Sequence, residues 1–281
     1  MSVFDRFQNQ TRIQAALEMW TALSVGSRTS LEPTGTDLPV VKGPDGVPFI
    51  PGSSIKGAVR SLAERILRTW DKRPDVWACD PFADPCISAD HKERLLQEAE
   101  AEAEYSNQTE HIFSNKVWDA SCTACRLFGS PWFASRVAFK DAFPLNGDEL
   151  PAVTQIRDGV GIDRDLGAAR TGIKYDFEVV APGARFRLEI LAENLEDWEL
   201  GFLLTVLRFW EEGDLALGGK VTRGPGWGKL VNLQLERVDT NTLLDYMFQR
   251  QQASVKADTF IEKLRERIAD TLKPNGEENN A

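Results

Sequence analysis

The chain has 281 residues, of which 42% are hydrophobic and 27% charged. This composition is typical of a folded protein and excludes a wholly disordered, collagenous or coiled-coil chain. The 33 basic and 43 acidic residues give a net charge of −10, so the molecule as a whole repels nucleic acids and anionic membranes, and any site for a polyanion must be local. Neither a run of about 18 apolar residues nor a secretory signal is found, which predicts a cytoplasmic chain with no membrane partner.

Alternating apolar and polar residues predict the strands. In the first strand Ile13, Ala15, Leu17 and Met19 are expected on the buried face. In the last strand we expect Val231, Leu233 and Leu235 on one side. The predicted strands are Thr11–Trp20, 134–143, the segment around 186–190, and Lys229–Val238.

Helices are predicted between these strands. Ser53 or Ser54 is expected to cap the first helix, whose apolar stripe is Ile55, Val59, Leu62 and Ile66, with Lys56 and Arg60 on another face. Further helices are predicted in the acidic segment 88–110, directly after Asn194, and beyond Asn241, and residues 272–281 are predicted to be disordered. The order strand, helix, strand, helix, strand predicts a single α+β domain with a ferredoxin-like core and large insertions.

A glycine-rich cluster at 218–228 precedes the last strand. Glycines approach a ligand closely, and the N–H groups of Gly219, Gly224 and Gly226, with the cations Lys220 and Arg223, could bind a phosphate chain. The spacing matches neither a Walker A motif nor a dinucleotide fingerprint. An elaborate turn leading into the strand explains the composition equally well.

The start of the first helix offers a second candidate phosphate contact. Helix N-termini attract anions, and here Ser53 and Ser54 are followed by Lys56 and Arg60. Taken alone, the two serines are expected to be ordinary helix caps.

Four cysteines predict a metal site. Cys122 and Cys125 have the CxxC spacing of structural zinc sites, and Cys79 and Cys86 would complete a tetrahedral set. The six residues between Cys79 and Cys86 exceed the usual spacing, so His91 or His111 is an alternative ligand. Free buried thiols and a redox CxxC are further alternatives.

Five segments resemble the RAMP superfamily of CRISPR-associated proteins, and in particular the backbone subunits of type III effector complexes of the Csm and Cmr kind. The segments are TALSVGSRTSLEPTGTDLPVVK, FIPGSSIKGAVRSL, CTACRLFGS, RDGVGIDRDLGAARTGIKYDFEVVAPGARF and LGGKVTRGPGWGKL.

The resemblance implies a ferredoxin-like, RRM-related core that spans 1–281 as a single RAMP domain. It also implies a zinc-bearing helical insertion at 71–133 and a thumb hairpin at 154–182 that inserts between guide and target. The expected partners are guide RNA (crRNA), target RNA and neighbouring effector subunits. The residues expected to hold the guide are Ser53, Ser54, Lys56, Arg60, Gly219, Lys220, Arg223, Gly224 and Gly226.

The resemblance further implies that Asp37, in GTDLPVVK, is the catalytic residue of an endoribonuclease. RNA carries its own nucleophile, the 2′-OH, and a carboxylate can assist proton transfer or hold a divalent cation such as magnesium. A non-catalytic subunit that holds or caps the guide is the alternative, and a single-stranded RNA-binding protein that acts alone is another. His91 and His111 lack a catalytic context, and Trp227 is a candidate base contact.

Overall fold

The computed structural model describes residues 4–26, 36–150 and 152–272. The predicted disorder at 272–281 therefore lies, after Leu272, outside the described residues. No helix in the described ranges is long and apolar enough to cross a membrane. The strands are β1 (Asn9–Met19), β2 (Val137–Phe139), β3 (Thr154–Ile162), β4 (Ala169–Val180), β5 (Arg185–Glu193), β6 (Gly228–Asp239) and β7 (Ala253–Ser254). The α-helices are α1 (Gly52–Trp70), α2 (Ala89–Glu102), α3 (Ser106–Ala120), α4 (Thr123–Phe128), α5 (Asp197–Glu211), α6 (Leu243–Gln249) and α7 (Ala257–Leu272).

The predicted α+β class is confirmed. One antiparallel sheet has the strand order β2-β5-β1-β6-β7, and β3 and β4 form a separate antiparallel pair over the range predicted as a thumb. The main buried cluster unites the sheet with α1, α4, α5 and α7. In the central strand β1, burial alternates without a break, and Ile13, Ala15, Leu17 and Met19 are buried as predicted.

Strand β6 differs from its prediction. Leu230 and Leu235 are buried, whereas Val231 and Leu233 are only half-buried. The pairing with β1 shifts at this point, and Asn232 has a φ of 58°. A bulge inserts one extra residue into the strand and reverses the alternation of its faces, so a single period-2 pattern could not hold along all of β6.

Helix α1 begins earlier than predicted, so the expected caps at Ser53 and Ser54 are wrong. Pro51 is the N-cap residue, and no side chain at that position can cap the helix. The N–H of Gly52 instead donates to Oδ1 of Asp141 at 2.7 Å, so a carboxylate from a distant loop takes the capping role. The apolar stripe is confirmed, because Ile55, Val59 and Leu62 are buried and Ile66 is half-buried.

The strand predicted at 134–143 is reduced to three residues. Arg136, just before β2, turns inward and forms a buried ion pair with Glu199 at the start of α5. Arg136 also donates to the carbonyls of Asn194 and Arg126 and lies over the ring of Trp118. This buried charge pair ties the cysteine-bearing segment to the core, and the sequence offered no pattern that identified it.

Candidate functional site

The four cysteines predicted as metal ligands come together in space. Cys79 and Cys86 flank a loop that precedes α2, Cys122 is the N-cap residue of α4, and Cys125 lies in the first turn of that helix. Their four sulfur atoms all lie within 4.8 Å of one another, and within the described ranges they form the one group of three or more potential ligands. Nδ1 of His91 lies 3.3 Å from the carbonyl oxygen of Cys86, to which it donates when it carries the proton, and His91 is not a member of that group.

The spacing of the sulfurs fits a tetrahedral metal ion. The Sγ atoms of Cys79 and Cys125 are 3.7 Å apart, and those of Cys122 and Cys79 are 3.6 Å apart. A zinc–sulfur bond of about 2.3 Å places the corners of a tetrahedron roughly 3.8 Å apart. The N–H of Cys125 also donates to Sγ of Cys122 at 3.4 Å, as donors around thiolate ligands commonly do.

The proximity of the thiols also changes their acidity. Hydrogen bonds from Cys122 and Cys125 lower the pKa of Cys86 to about 7, and those from Cys125 and Cys79 lower the pKa of Cys122 to about 7. The same contacts raise the pKa of Cys125. The cluster therefore supplies thiolates near neutral pH, which is the form that binds metal.

The first helix carries four of the predicted guide contacts, of which one is exposed and three are half-buried. Ser53 is exposed, and Ser54 and Lys56 are half-buried. Burial, together with the nearby charge of Arg60, lowers the pKa of Lys56. Among the described residues no carboxylate forms an ion pair with Lys56, which leaves its charge available to an anionic ligand.

Arg60 is in a different situation from Lys56. Its Nε donates to Glu64 at 2.7 Å and its Nη1 to the carbonyl of Gly129 at 3.1 Å, while Nη2 lies 4.0 Å from Sγ of Cys125. Burial acts to lower the pKa of Arg60, but the hydrogen bond and charge of Glu64 outweigh it and raise that pKa. The guanidinium thus faces the cysteine cluster.

The glycine-rich loop lies against the start of α1, so the two candidate phosphate contacts line the same groove. Ser54 and Gly57 from the helix and Gly218 and Gly219 from the loop line a cavity of about 420 Å³. The residues 24–26 close one side of it. A second cavity, of about 910 Å³, lies on the cysteine side of the helix and shares Gly57 with the first.

The N–H groups of Gly219, Gly224 and Gly226 are already bonded within the protein, so the expectation that these three bind a phosphate chain is wrong. Gly219 donates to the carbonyl of Ser24 at 2.7 Å, Gly226 to that of Ala22 at 2.7 Å, and Gly224 to that of Val221 at 3.2 Å. Close packing explains part of the glycine content, because a Cβ on Gly218 would lie 2.5 Å from the carbonyl oxygen of Ser24. The turn interpretation therefore accounts for these three glycines, and the side chains of Lys220 and Arg223 remain as candidate contacts for an anion.

Both cations of this loop rest on aromatic residues of β4. The Nζ of Lys220 lies 4.5 Å from the ring centroid of Phe177, and Nη1 of Arg223 donates to the hydroxyl of Tyr175 at 2.7 Å. Neither forms an ion pair with an acidic residue in the described part of the chain. The ring of Phe177 and the hydroxyl of Tyr175 hold the two side chains in place without neutralising their charge.

Asp37 is exposed and is joined to the same strand. The N–H of Asp37 donates to Oδ1 of Asp176 at 2.8 Å, and the N–H of Asp176 donates to Oδ2 of Asp37 at 3.1 Å. Leu38 then pairs with Phe177 in a parallel bridge. Strand β4 thus contacts both the Asp37 segment, through Asp176 and Phe177, and the cationic loop, through Tyr175 and Phe177.

Sequence reasoning missed the β4 residues Tyr175, Asp176 and Phe177. The alternation of Tyr175, Phe177 and Val179 was the available signal, since these apolar residues share one face while Asp176 and Glu178 share the other. Trp227 is 36% exposed, and its backbone is held by Thr21 and Trp20. It lies beside the loop, and no described contact assigns it a ligand.

Comparison with known proteins gives two findings. The sequence model of the RAMP superfamily matches residues 13–230. The CRISPR system Cms endoribonuclease Csm3 of Methanothermobacter thermautotrophicus is 26% identical over 256 residues, which cover 82% of this chain and 87% of that protein.

Proposed function

Because the chain belongs to the RAMP superfamily over most of its length, we propose that it is a guide-RNA-binding backbone subunit of a type III CRISPR interference complex. Its likeness to a protein named as a Csm3 endoribonuclease supports this assignment. The expected partners are the guide (crRNA), a complementary target RNA and neighbouring effector subunits. The observation that carries the proposal is that one strand, β4, contacts both Asp37 and the two cations of the glycine-rich loop.

The core is ferredoxin-like and RRM-related in this proposal. Without its edge strand β7, the sheet has the order β2-β5-β1-β6, all antiparallel, and one helix follows β1 while another follows β5. Such an arrangement of two split βαβ units is the ferredoxin-like pattern. The hairpin of β3 and β4 is the thumb, and the cysteine site holds structural zinc, because four thiolates leave no open position for water.

The guide-binding surface has Lys56, Lys220 and Arg223 as its cations. These three side chains have no ion-pair partner among the described residues. Lys56 precedes the groove-lining Gly57 on α1, and Lys220 and Arg223 follow the groove-lining Gly219 in the loop. Local clustering of unpaired cations allows an acidic protein to bind a polyanion. Ser53 and Ser54 add hydroxyl donors at the edge of the same groove.

Asp37 is the catalytic residue of the proposed cleavage. In this reaction the 2′-oxygen of a splayed target nucleotide attacks the adjacent phosphorus, and the bond from phosphorus to the 5′-oxygen breaks. The products are a 2′,3′-cyclic phosphate and a free 5′-hydroxyl. Asp176 holds Oδ2 of Asp37 through its N–H, which leaves Oδ1 to accept the proton of the 2′-OH. A divalent cation such as magnesium, when bound, offsets the charge of the phosphate.

A second candidate function is a subunit that only holds or caps the guide. The two hydrogen bonds between Asp37 and Asp176 favour this function, because they give Asp37 a structural role that needs no catalysis. The two functions predict different effects on target cleavage when the negative charge of Asp37 is removed. Asn at position 37 retains an oxygen that can accept the N–H of Asp176 but has no carboxylate.

The test is cleavage of a labelled, guide-complementary RNA by the reconstituted complex, with and without magnesium. We expect Asp37→Asn to slow cleavage by about 100-fold or more, with unchanged target binding. Asp245→Asn, which removes an exposed carboxylate from α6, is the matched control and should cleave as the wild type does. Cleavage by Asp37→Asn at the wild-type rate would assign the guide-holding function instead.

A further inference from the structure

Three charged residues of α1 form a continuous ladder beside the cysteine cluster. Arg60, Glu64 and Arg68 are spaced four residues apart and therefore lie on one face of the helix. Glu64, whose exposed fraction is 9%, accepts from Nε of Arg60 at 2.7 Å and from Nη2 of Arg68 at 2.9 Å. One largely buried carboxylate therefore fixes two guanidinium groups.

Each guanidinium then reaches a different cysteine-bearing segment. Arg60 lies 4.0 Å from Sγ of Cys125 and bonds the carbonyl of Gly129, directly after α4. Arg68 donates to the carbonyl of Cys79 from Nε at 3.3 Å and from Nη2 at 3.0 Å. The ladder thus connects α1 to two of the four cysteines, which are far apart in the sequence.

The charge of the ladder suits a metal centre with four thiolates. Such a centre carries net negative charge, and the ladder carries one positive charge, because two arginines share one glutamate. Donors around thiolate ligands orient the ligands and stabilise their charged form. Lys56, one turn before Arg60, has no described acidic partner and no bond to a cysteine.

We propose that Arg60 and Arg68, bridged by Glu64, are outer partners of a metal ion held by Cys79, Cys86, Cys122 and Cys125, and that they couple metal binding to the position of α1. Arg60 is then a positioning residue of the metal site and does not contact guide phosphates. The start of α1 lines the groove beside the glycine-rich loop, so loss of the metal displaces one wall of that groove. Only this last consequence rests on the proposed function.

The first experiment measures zinc release from the full-length protein to the chromogenic chelator 4-(2-pyridylazo)resorcinol. We expect Arg60→Met to release zinc about 10- to 100-fold more readily than the wild type. Lys56→Met removes a cation from the same helix and should release zinc within twofold of the wild type. Equal zinc retention by Arg60→Met and the wild type would overturn the proposal, as would a wild-type protein that binds no zinc.

Arg60→Lys serves if Arg60→Met does not fold. Lysine keeps the charge but cannot donate to Glu64, Gly129 and Cys125 together, so zinc release should still be faster than in the wild type. Cobalt in place of zinc gives a second readout, since the visible spectrum of tetrahedral cobalt thiolate responds to donors around the sulfurs. An unchanged spectrum in Arg60→Lys, with unchanged release, would contradict the proposed contact.

The second experiment measures affinity for guide RNA with and without zinc. Zinc-loaded Arg60→Met should bind RNA as the wild type does, because Arg68 still joins α1 to the segment of Cys79. Removal of zinc should weaken RNA binding by the wild type. Weaker RNA binding by zinc-loaded Arg60→Met would make Arg60 a direct phosphate contact and overturn its assignment. RNA binding that is unchanged in Lys56→Met would contradict the proposed function, while the zinc measurements would still decide the role of the ladder.

Discussion

The cysteine cluster and the glycine-rich loop lie on the two sides of α1, and they use positive charge in opposite ways. On the cysteine side, Arg60 and Arg68 share the buried carboxylate of Glu64 and donate to cysteine-bearing segments. On the loop side, Lys220 lies over the ring of Phe177 and Arg223 donates to the hydroxyl of Tyr175, and neither forms an ion pair with a described acid. A cation therefore indicates a ligand site only when its local partners leave the charge available.

The same contrast holds for the backbone. The cysteine cluster presents side chains to a ligand, and its backbone donors support those side chains. In the loop, the N–H groups of three glycines donate to the carbonyls of Ala22, Ser24 and Val221, so this part of the backbone stabilises the fold and the cationic side chains remain for the ligand. In this loop, the glycines allow the backbone to pack closely against neighbouring segments more than they allow it to approach a ligand.

Removal of the metal ion proposed for the cysteine cluster is expected to change stability more than any other change considered for the two regions. Cys122 is fully buried, and Cys122→Ser or a strong chelator should lower the free energy of unfolding by at least about 5 kcal/mol, since binding of a structural metal contributes directly to folding. Thermal unfolding followed by circular dichroism measures this. Chelator already saturated with zinc is the control, and an unchanged melting temperature after chelation would show that the cysteines are ordinary buried thiols.

Substitution of the loop glycines should give a graded, smaller loss of stability. Gly218 has a φ of +86°, and its Cβ would lie 2.5 Å from a carbonyl oxygen, whereas Gly224 has a φ of +107° with open space around it. We expect Gly218→Ala to cost about 2–4 kcal/mol and Gly224→Ala about 1 kcal/mol, measured by urea unfolding.

Gly57→Ala is the control for this series. Gly57 lies inside α1 with nothing within 4 Å of its Cβ position, so alanine should stabilise the protein by about 0.5–1 kcal/mol. Equal stability of the Gly218 and Gly224 variants would contradict the close packing of the loop against the segment after β1.

Neutralising the loop cations should leave stability unchanged and alter only RNA binding. Lys220→Gln and Arg223→Gln are each expected to reduce the salt dependence of guide-RNA affinity by about 0.7 in the slope of log K against log salt, the value for one phosphate contact on a single strand. Fluorescence anisotropy over a range of salt concentrations measures the slope. Lys263→Gln removes an exposed lysine from α7 and is the control, and the same slope in all three variants would remove the loop from the guide site.

Sequence patterns predicted best the elements whose apolar residues repeat with one unbroken period along the segment. The alternation of Ile13, Leu17 and Met19 predicted β1, and the stripe from Ile55 to Ile66 predicted α1. Patterns failed where a partner from elsewhere decides the outcome. Asp141 caps α1 from a distance of 89 positions in the chain, and a bulge opposite β1 reverses the faces of β6.

The sequence alone determined the α+β class, the superfamily and the four candidate metal ligands, because hydrophobic periodicity and side-chain chemistry are properties of short segments. Only the tertiary structure decided which cations are neutralised, which glycine N–H groups are bonded, and that Asp176 faces Asp37. The physical reason is that hydrogen bonds and ion pairs act over a few ångströms in space. Asp37 and Asp176 lie 139 positions apart in the chain, and Arg60 and Gly129 lie 69 apart.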